Sequence, residues 1–361
     1  VTVLQLITGR GPTGPAAAAN NDAYALNAAG VRTIVVSADE PGISDACAEL
    51  KIEWRGGLKL GRGAARLLHV PRDIRKLRAL ADELGASVVH THRSDDQLLA
   101  AAALRGTTNI RHVRTWHRAP KQTLRLLPRA DGFVCVAREH IATLQSYGAK
   151  HAAFIPLAVD TDLFAPAGAR EATPVRIAHA GRWKRDADDR DRGQNAALTL
   201  FSALSNTPGW TGCIAGRGEM ETALREEAFV TLRLDPARVE IRKVPQTSAN
   251  DFAAVLASFD IALVFTPGSD GTSRAAAEFL SCGVALLAAN LPGLREFAEQ
   301  SEAALALPLG DTQAWVNALQ TLIADPARLA RMKSAARTQA LQRHALKIRG
   351  AALNAFYQTL K

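Results

Sequence analysis

FIPLAVDTDLFAPAGAREATP, residues 154–174, is where one structural rhythm ends and a second begins. Its three prolines and single glycine give it the punctuation of an interdomain linker. Ahead of it, short β-branched runs alternate with Ala- and Leu-rich helical stretches. VTVLQLIT (1–8) precedes a helical stretch from about Pro15 to Ala29, then come RTIVVS (32–37), SVVHTH (87–92), NIRHVRTWH (109–117), GFVCVA (132–137) and AAFIPL (152–157). Beyond Pro174 the alternation restarts with VRIAHAG (175–181), a helix from about Asn195, TGCIAG (211–216), RVEIRKV (238–244), DIALVF (260–265) and VALLAA (284–289). Strands joined by crossover helices predict an α/β chain with parallel sheets. The restart predicts two doubly wound domains, residues 1–165 and 166–344, facing each other across a cleft. Ligands in such sheets sit beyond the carboxyl ends of the strands, so the loops there are where chemistry is sought.

Composition narrows the function classes. With 361 residues, 47% apolar and 22% charged, the chain can bury two sizeable cores. The longest apolar run, Leu98–Leu104, is far short of the ~18 residues a spanning helix needs, and the opening VTVLQLIT reads as a strand rather than a signal peptide. Cys47, Cys135, Cys213 and Cys282 lie far apart, which speaks against a zinc ribbon, a redox pair or a secreted disulfide scaffold and for a cytoplasmic home. The net charge of +9 is concentrated early: Lys51–Arg78 holds nine bases against two acids, and Arg105–Arg129 seven bases and no acid. Such a surface suits an anionic partner. Aromatics, 5% of the chain, do not interleave with these bases, which excludes a stacking reader of nucleic acid and leaves a membrane surface or phosphates.

Four segments carry candidate chemistry. Gly9-Arg10-Gly11-Pro12-Thr13-Gly14 is a literal G-x-G-x-x-G opening a helix, and glycines there let amides approach a phosphate. Asp39 follows the second strand, as a nicotinamide-dinucleotide fingerprint wants, but Pro12 removes an amide. Gly11, Thr13 and Gly14 thus read either as a generic phosphate contact or as a tight turn. His90 and His92 share one side of a strand end, either as a metal pair with Asp95 or Asp96 or as hydrogen-bonded histidines. His117 closes RHVRTWH at the same edge and is the better candidate to touch substrate, against the reading of a polar loop histidine. Asp186-Ala187-Asp188 looks like a metal-binding D-x-D but sits in a run of alternating charges, the pattern of a solvated loop. Its flanking bases Arg182, Lys184 and Arg192 are of more interest. In PGSDGTSRAAAEFLSCG (267–283), Thr272 or Ser273 can cap a helix that Gly283 ends, with Asp270 at its mouth and Glu278 two turns in. The amides of Gly271–Arg274 would face an anion there, while Arg274 and Glu278 at i, i+4 could equally form a plain surface pair.

These residues together resemble the retaining glycosyltransferases of family 4, which have the GT-B fold of two Rossmann-like domains. The likeness runs nearly the whole length and is strongest from Ala178 to Phe297. An acid, seven residues, then Glu ahead of Ala-x-x-x-Gly is the family's spacing, and Asp270 to Glu278 with FLSCG matches it, Asp standing where Glu is usual. The resemblance implies that Glu278 binds the nucleotide ribose, that Asp270 holds donor-sugar hydroxyls, and that Gly271, Thr272 and Ser273 offer amides to the diphosphate and sugar. Gly181-Arg182 matches the family's Gly-Arg, and Arg192-Gly193 its later Lys-Gly. AGRGEME, with Gly216 and Arg217, is similar to a strand-ending glycine loop, and the strand ending at Val244 to the one that contacts the base.

What the resemblance implies for function is a transfer from a UDP- or GDP-linked sugar to a glycan or lipid-linked acceptor, retaining configuration and needing neither metal nor cofactor. Arg182 and Arg192 would steady the leaving phosphates, with Lys184 nearby, and the departing phosphate would take the acceptor proton. His117 would lie near the reacting sugar, and the last helix, about 345–361, would pack back on the first domain. Relatives often build envelope polysaccharide or lipopolysaccharide, which gives the basic first half an anionic membrane surface at the cytoplasmic face to meet. Two other readings stay open: an NAD(P)-dependent oxidoreductase on Gly9, Gly11, Gly14 and Asp39, and a non-catalytic relative that only binds.

Overall fold

The computed structural model describes residues 1–8, 14–59, 65–117, 130–168, 173–184, 193–244, 249–266, 274–299 and 301–360. The chain forms two units, divided between Ala158 and Val159 and again between Ala345 and Leu346.

In the first unit seven strands form one parallel sheet: β1 (Thr2–Ile7), β2 (Arg32–Ala38), β3 (Glu53–Leu58), β4 (Val88–Thr91), β5 (Arg111–Trp116), β6 (Gly132–Cys135) and β7 (Ala152–Phe154). Their order is β3-β2-β1-β4-β5-β6-β7, so the winding reverses between β1 and β4. The crossovers run through α1 (Gly14–Ala28), α2 (Pro41–Glu49), α3 (Ala65–Glu83), α4 (Ser94–Ala103) and α5 (His140–Ser146). The second unit has six strands: β8 (Val175–Arg182), β9 (Trp210–Arg217), β10 (Val239–Lys243), β11 (Ile261–Val264), β12 (Ala285–Ala289) and β13 (Ala304–Leu307). They are ordered β10-β9-β8-β11-β12-β13, reversing between β8 and β11. Its helices are α6 (Gln194–Ala203), α7 (Glu221–Glu226), α8 (Ala249–Ala257), α9 (Arg274–Ser281), α10 (Thr312–Ala324) and α11 (Pro326–Gln339). All paired strands are parallel, and helices cover both faces, which is why runs such as Val3–Ile7 and Ile261–Val264 are buried at every position.

The boundary at Val159 has a physical cause. Val159 donates its amide to His344 at 2.8 Å, and Arg337 Nη1 binds the carbonyls of Thr161, Phe164 and Ser281 at 2.8–3.0 Å. The start of the linker is therefore bound to the second unit a few residues ahead of the 165/166 break that punctuation alone suggests.

The last helix, α12 (Leu346–Gln358), belongs to the first unit. Leu353, Phe356, Tyr357 and Leu360 share a core with Val3, Leu26, Val88, Val113 and Val134. Gly350 allows the crossing of α1, because a Cβ there would lie 2.5 Å from the Ala25 carbonyl oxygen. Arg349 is 2% exposed and fully engaged: Nε and Nη2 donate to the two oxygens of Asp22, and Nη1 to the carbonyls of Ile155 and Pro156 at 2.8 Å each. Asp22→Ala strands this guanidinium in the core, so denaturant unfolding is expected to show a loss of about 3–5 kcal/mol. A loss under about 1 kcal/mol would mean that the pair is not holding the helix.

Candidate active site

The second unit builds its carboxyl edge from backbone. β8 and β9 run in register to their ends, Gly181 beside Gly216 and Arg182 beside Arg217. A Cβ on Gly216 would collide with the Gly181 carbonyl and come within 2.7 Å of Trp183 Nε1, so only glycine fits. Trp183 is fully buried and anchors the turn: its amide donates to Arg217 and its carbonyl accepts from Met220. Gln194, the first residue of α6, donates from Nε2 to the Arg182 carbonyl at 2.8 Å. With the backbone fixed on both sides of Trp183, the side chains of Arg182 and Lys184 stand exposed and Arg217 half-buried. Val244 is buried, and its amide donates to the Gly216 carbonyl at 2.8 Å, joining the end of β10 to this loop.

On α9, Glu278 is 3% exposed and its Oε1 accepts from Arg274 Nε at 2.8 Å. The i, i+4 pair expected from sequence forms, but as a half-buried arginine clamping a buried carboxylate rather than as a surface pair. Gly283, at φ +70, stands just past the end of the helix. Arg192, Asp270, Gly271, Thr272 and Ser273 lie outside the described residues, as do Gly11 and Thr13; Gly14 opens α1.

The first unit builds its carboxyl edge from side chains. His90, His92 and His117 are all buried. His90 takes Tyr357 Oη on Nδ1 at 2.6 Å and Thr115 Oγ1 on Nε2 at 2.7 Å. His92 stacks on His90 with ring centres 4.8 Å apart and on His117 at 5.4 Å. Its Nε2 donates to Gln5 Oε1 at 2.7 Å, which leaves Nδ1 bare to accept from His117 Nε2 at 3.1 Å. Burial, reinforced by the charge of Arg349, holds His90 and His92 well below the usual imidazole range. His112, bound to Thr91 Oγ1, is pulled down to about 3 by burial and by Arg114.

Asp96 does not join the histidines as the metal-pair reading expected. Its Oδ1 accepts from the amide and hydroxyl of Thr8, and its Oδ2 from the amides of His92 and Arg93. Among the described residues the carboxylate that groups with the pair is instead Asp22, with ligand-type atoms of Asp22, His90 and His92 within 4.8 Å of one another. Each is already taken: Asp22 by Arg349, His90 by Tyr357 and Thr115, His92 by Gln5 and His117. Gln5, His112, Arg114, Thr115 and Tyr357 were not singled out from the sequence. The signal for the strand residues was there, as polar side chains recurring inside runs that read as buried strands.

The three most deeply depressed imidazoles, His90, His92 and His112, are neutral in the folded chain but protonate near pH 6.5 once unfolded, and burial lowers His140 in the same direction. Below that pH the unfolded chain binds more protons. Stability is therefore full above about pH 6.5 and falls on acidification by about 1.4 kcal/mol per pH unit for each histidine. Urea unfolding between about pH 7.5 and 5 is expected to show this slope, shallower by about one proton in His90→Gln.

Residues 19–163 match the model of Glycosyltransferase Family 4, and residues 175–325 that of Glycosyl transferases group 1. No curated protein matches the sequence. Among solved structures, the chain resembles a glycosyltransferase from Rickettsia africae at 14% identity and a TM-score of 0.81, covering 99% of this chain and 98% of that one. It also resembles Anabaena HepE in complex with UDP-glucose (16% identity, TM-score 0.76, 99% of each chain). The lipopolysaccharide outer core galactosyltransferase WaaB matches at 13% identity and TM-score 0.73, again over 99% of each chain. Likeness at such identities speaks for the shared fold, and the two family models speak for the activity. The protein is thus a transferase rather than the nicotinamide-dependent oxidoreductase that Gly9, Gly11, Gly14 and Asp39 admitted, and it belongs to the GT-B glycosyltransferases of family 4.

Proposed function

We propose that the enzyme moves a sugar from a nucleoside diphosphate sugar, UDP- or GDP-linked, to a glycan or lipid-linked acceptor, with retention of configuration and without a metal or cofactor. The observation that carries this reading is Glu278, a carboxylate buried on α9 and clamped by Arg274. Burying a carboxylate is costly, and a carboxylate accepts two hydrogen bonds side by side, the geometry of a ribose diol. Support comes also from the glycine-built edge of β8 and β9, where Arg182 and Lys184 are exposed. HepE, of similar fold, was solved with UDP-glucose.

The mechanism follows from charge. Departure of the nucleoside diphosphate builds negative charge on the phosphates while the anomeric carbon becomes positive. Fixed cations and amide dipoles stabilise that separation without reorganising. Arg182 and Lys184 serve the phosphates together with Arg192, and Asp270 and the amides of Gly271–Ser273 hold the sugar. The leaving phosphate oxygen takes the proton of the acceptor hydroxyl as that hydroxyl attacks the face being vacated, which gives retention. His117, buried beside His92, lies at the acceptor side. Lys51, Arg55, Lys59, Arg72 and Arg75 are exposed on the first unit and fit an anionic membrane surface, in keeping with an envelope-polysaccharide or lipopolysaccharide acceptor at the cytoplasmic face. No helix among the described residues is long and apolar enough to cross a membrane.

Thermal unfolding with UDP, GDP and ADP, each with and without EDTA, tests this. A ligand at about 100 times its dissociation constant adds about 2.7 kcal/mol, several degrees in a chain of this size. One nucleoside diphosphate is expected to raise Tm, unaffected by EDTA, and to lose the effect in Glu278→Gln. Silence across the panel would leave a non-catalytic binder, and an EDTA-sensitive shift would sink the metal-free mechanism. The proton NMR coupling of the product's anomeric centre then reads retention or inversion directly.

A further inference from the structure

Among the described residues the first unit buries two arginines, with opposite circumstances. Arg349 has its guanidinium bound by a carboxylate and two carbonyls. Arg114, on β5, is 5% exposed, and its Nε and Nη1 have no hydrogen-bond partner. Native proteins seldom leave buried donors unpaired, and a charged one is the most costly to leave.

Arg114 is not alone. Two residues further along β5, hence on the same face of the sheet, Trp116 is 6% exposed with its indole Nε1 buried and unpartnered. The guanidinium carbon of Arg114 lies 5.0 Å from the Trp116 ring centre. Asp96 and, more weakly, Asp95 are close enough to act on the charge of Arg114. Both oxygens of Asp96, however, are occupied by Thr8, His92 and Arg93, so it offsets the charge without accepting an Arg114 proton. His112, next on the same face, is turned to Thr91. Among the described residues the result is a cluster of donors and positive charge in which Arg114 Nε and Nη1 and Trp116 Nε1 are met by no acceptor. A neutral hydroxyl finds little there, whereas an oxyanion finds a planar donor fork and an indole N–H.

Its place in the fold fits a ligand. The cluster ends β5 at the carboxyl edge, one strand from the β1/β4 reversal, and His117 is the next residue of the chain. Both side chains are only 5–6% exposed and their unpartnered nitrogens are buried, so a ligand held here would be enclosed rather than resting on the surface.

We infer that Arg114 and Trp116 form a subsite in the first unit for an oxyanion, a phosphate or carboxylate, carried by the sugar acceptor. This rests on the transferase reading only for the word acceptor; binding of the anion itself does not depend on it. Two tight donors from different side chains on one oxyanion would select acceptors bearing that group close to the hydroxyl that reacts.

The test is anion titration of the full chain followed through its five tryptophan indole N–H signals. Inorganic phosphate is expected to move the Trp116 signal, identified by its absence in Trp116→Phe. Arg114→Met should weaken that response about ten-fold or more. If Arg114→Met fails to fold, Arg114→Lys, which keeps charge but loses the fork, should still weaken it. A Trp116 signal unmoved by phosphate and by acetate would overturn the inference, as would movement confined to Trp183 in the second unit. UDP serves as the separate control: if it moves Trp183 while phosphate leaves Trp116 still, the subsite fails and the donor reading stands. If phosphate moves Trp116 and UDP moves nothing, the reverse holds. Glycerol phosphate and phosphatidylglycerol vesicles then separate a soluble phosphorylated acceptor from a lipid headgroup, by which of the two competes with inorganic phosphate.

Discussion

The buried pair of Arg349 and Asp22 is the contact on which the first unit depends. A guanidinium in the core is tolerated only when its donors are met, and here they are met by two separate pieces of chain: α1 through Asp22, and the segment after β7 through the carbonyls of Ile155 and Pro156. The last helix therefore cannot dock unless the first helix and the seventh strand are already in place. Once docked, it brings Tyr357 to His90, and through the stack of His90, His92 and His117 it sets the ring that ends β5. A candidate acceptor-side histidine is thus oriented from residues at both ends of the chain.

The two carboxyl edges solve different physical problems. In the second unit Gly216 lets β8 and β9 close against Trp183 with no side chain between them, and the cations beside it, Arg182 and Lys184, stand in solvent. In the first unit the imidazoles are buried, His90 held by Tyr357 and Thr115 and His92 by Gln5 and His117, so the orientation of both rings is fixed. The first arrangement suits a highly charged leaving group, and the second suits the holding of a neutral polar ring in one pose. This division of labour belongs to each sheet separately and follows from what each buries.

The fold was legible because parallel sheets buried on both faces write themselves as apolar runs, and the crossovers between them as Ala- and Leu-rich stretches. The restart after Pro174 carried the count of two. The site was less legible, for reasons that differ by residue. Asp22 and Arg349 are 327 positions apart, and within their own helices each looks like a solvent-facing polar residue. Gly350 did leave a trace, since a glycine inside a helical pattern marks a close approach. The pairing of Arg274 with Glu278 could be read from spacing. The burial of Glu278 could not, because it comes from the fold around α9 and not from the helix itself. His90 and His92 were visible on one face of a strand, but among the described residues the carboxylate that groups with them is Asp22 on α1 and not, as chain proximity suggested, Asp95 or Asp96.

The contrast between the two arginines separates stability from use. Arg349 gains for the fold what its burial costs, because each bond it makes closes a piece of the core. Arg114 has the same side chain at nearly the same depth, and the burial that pulls it down to about 10 leaves it cationic at neutral pH. The fold gains no hydrogen bond from its Nε and Nη1, and a Met or Leu of similar volume would pack the face with less penalty. A residue that the fold would be better without is one whose presence calls for a ligand. The carboxyl edge of a parallel sheet is where such a ligand would stand.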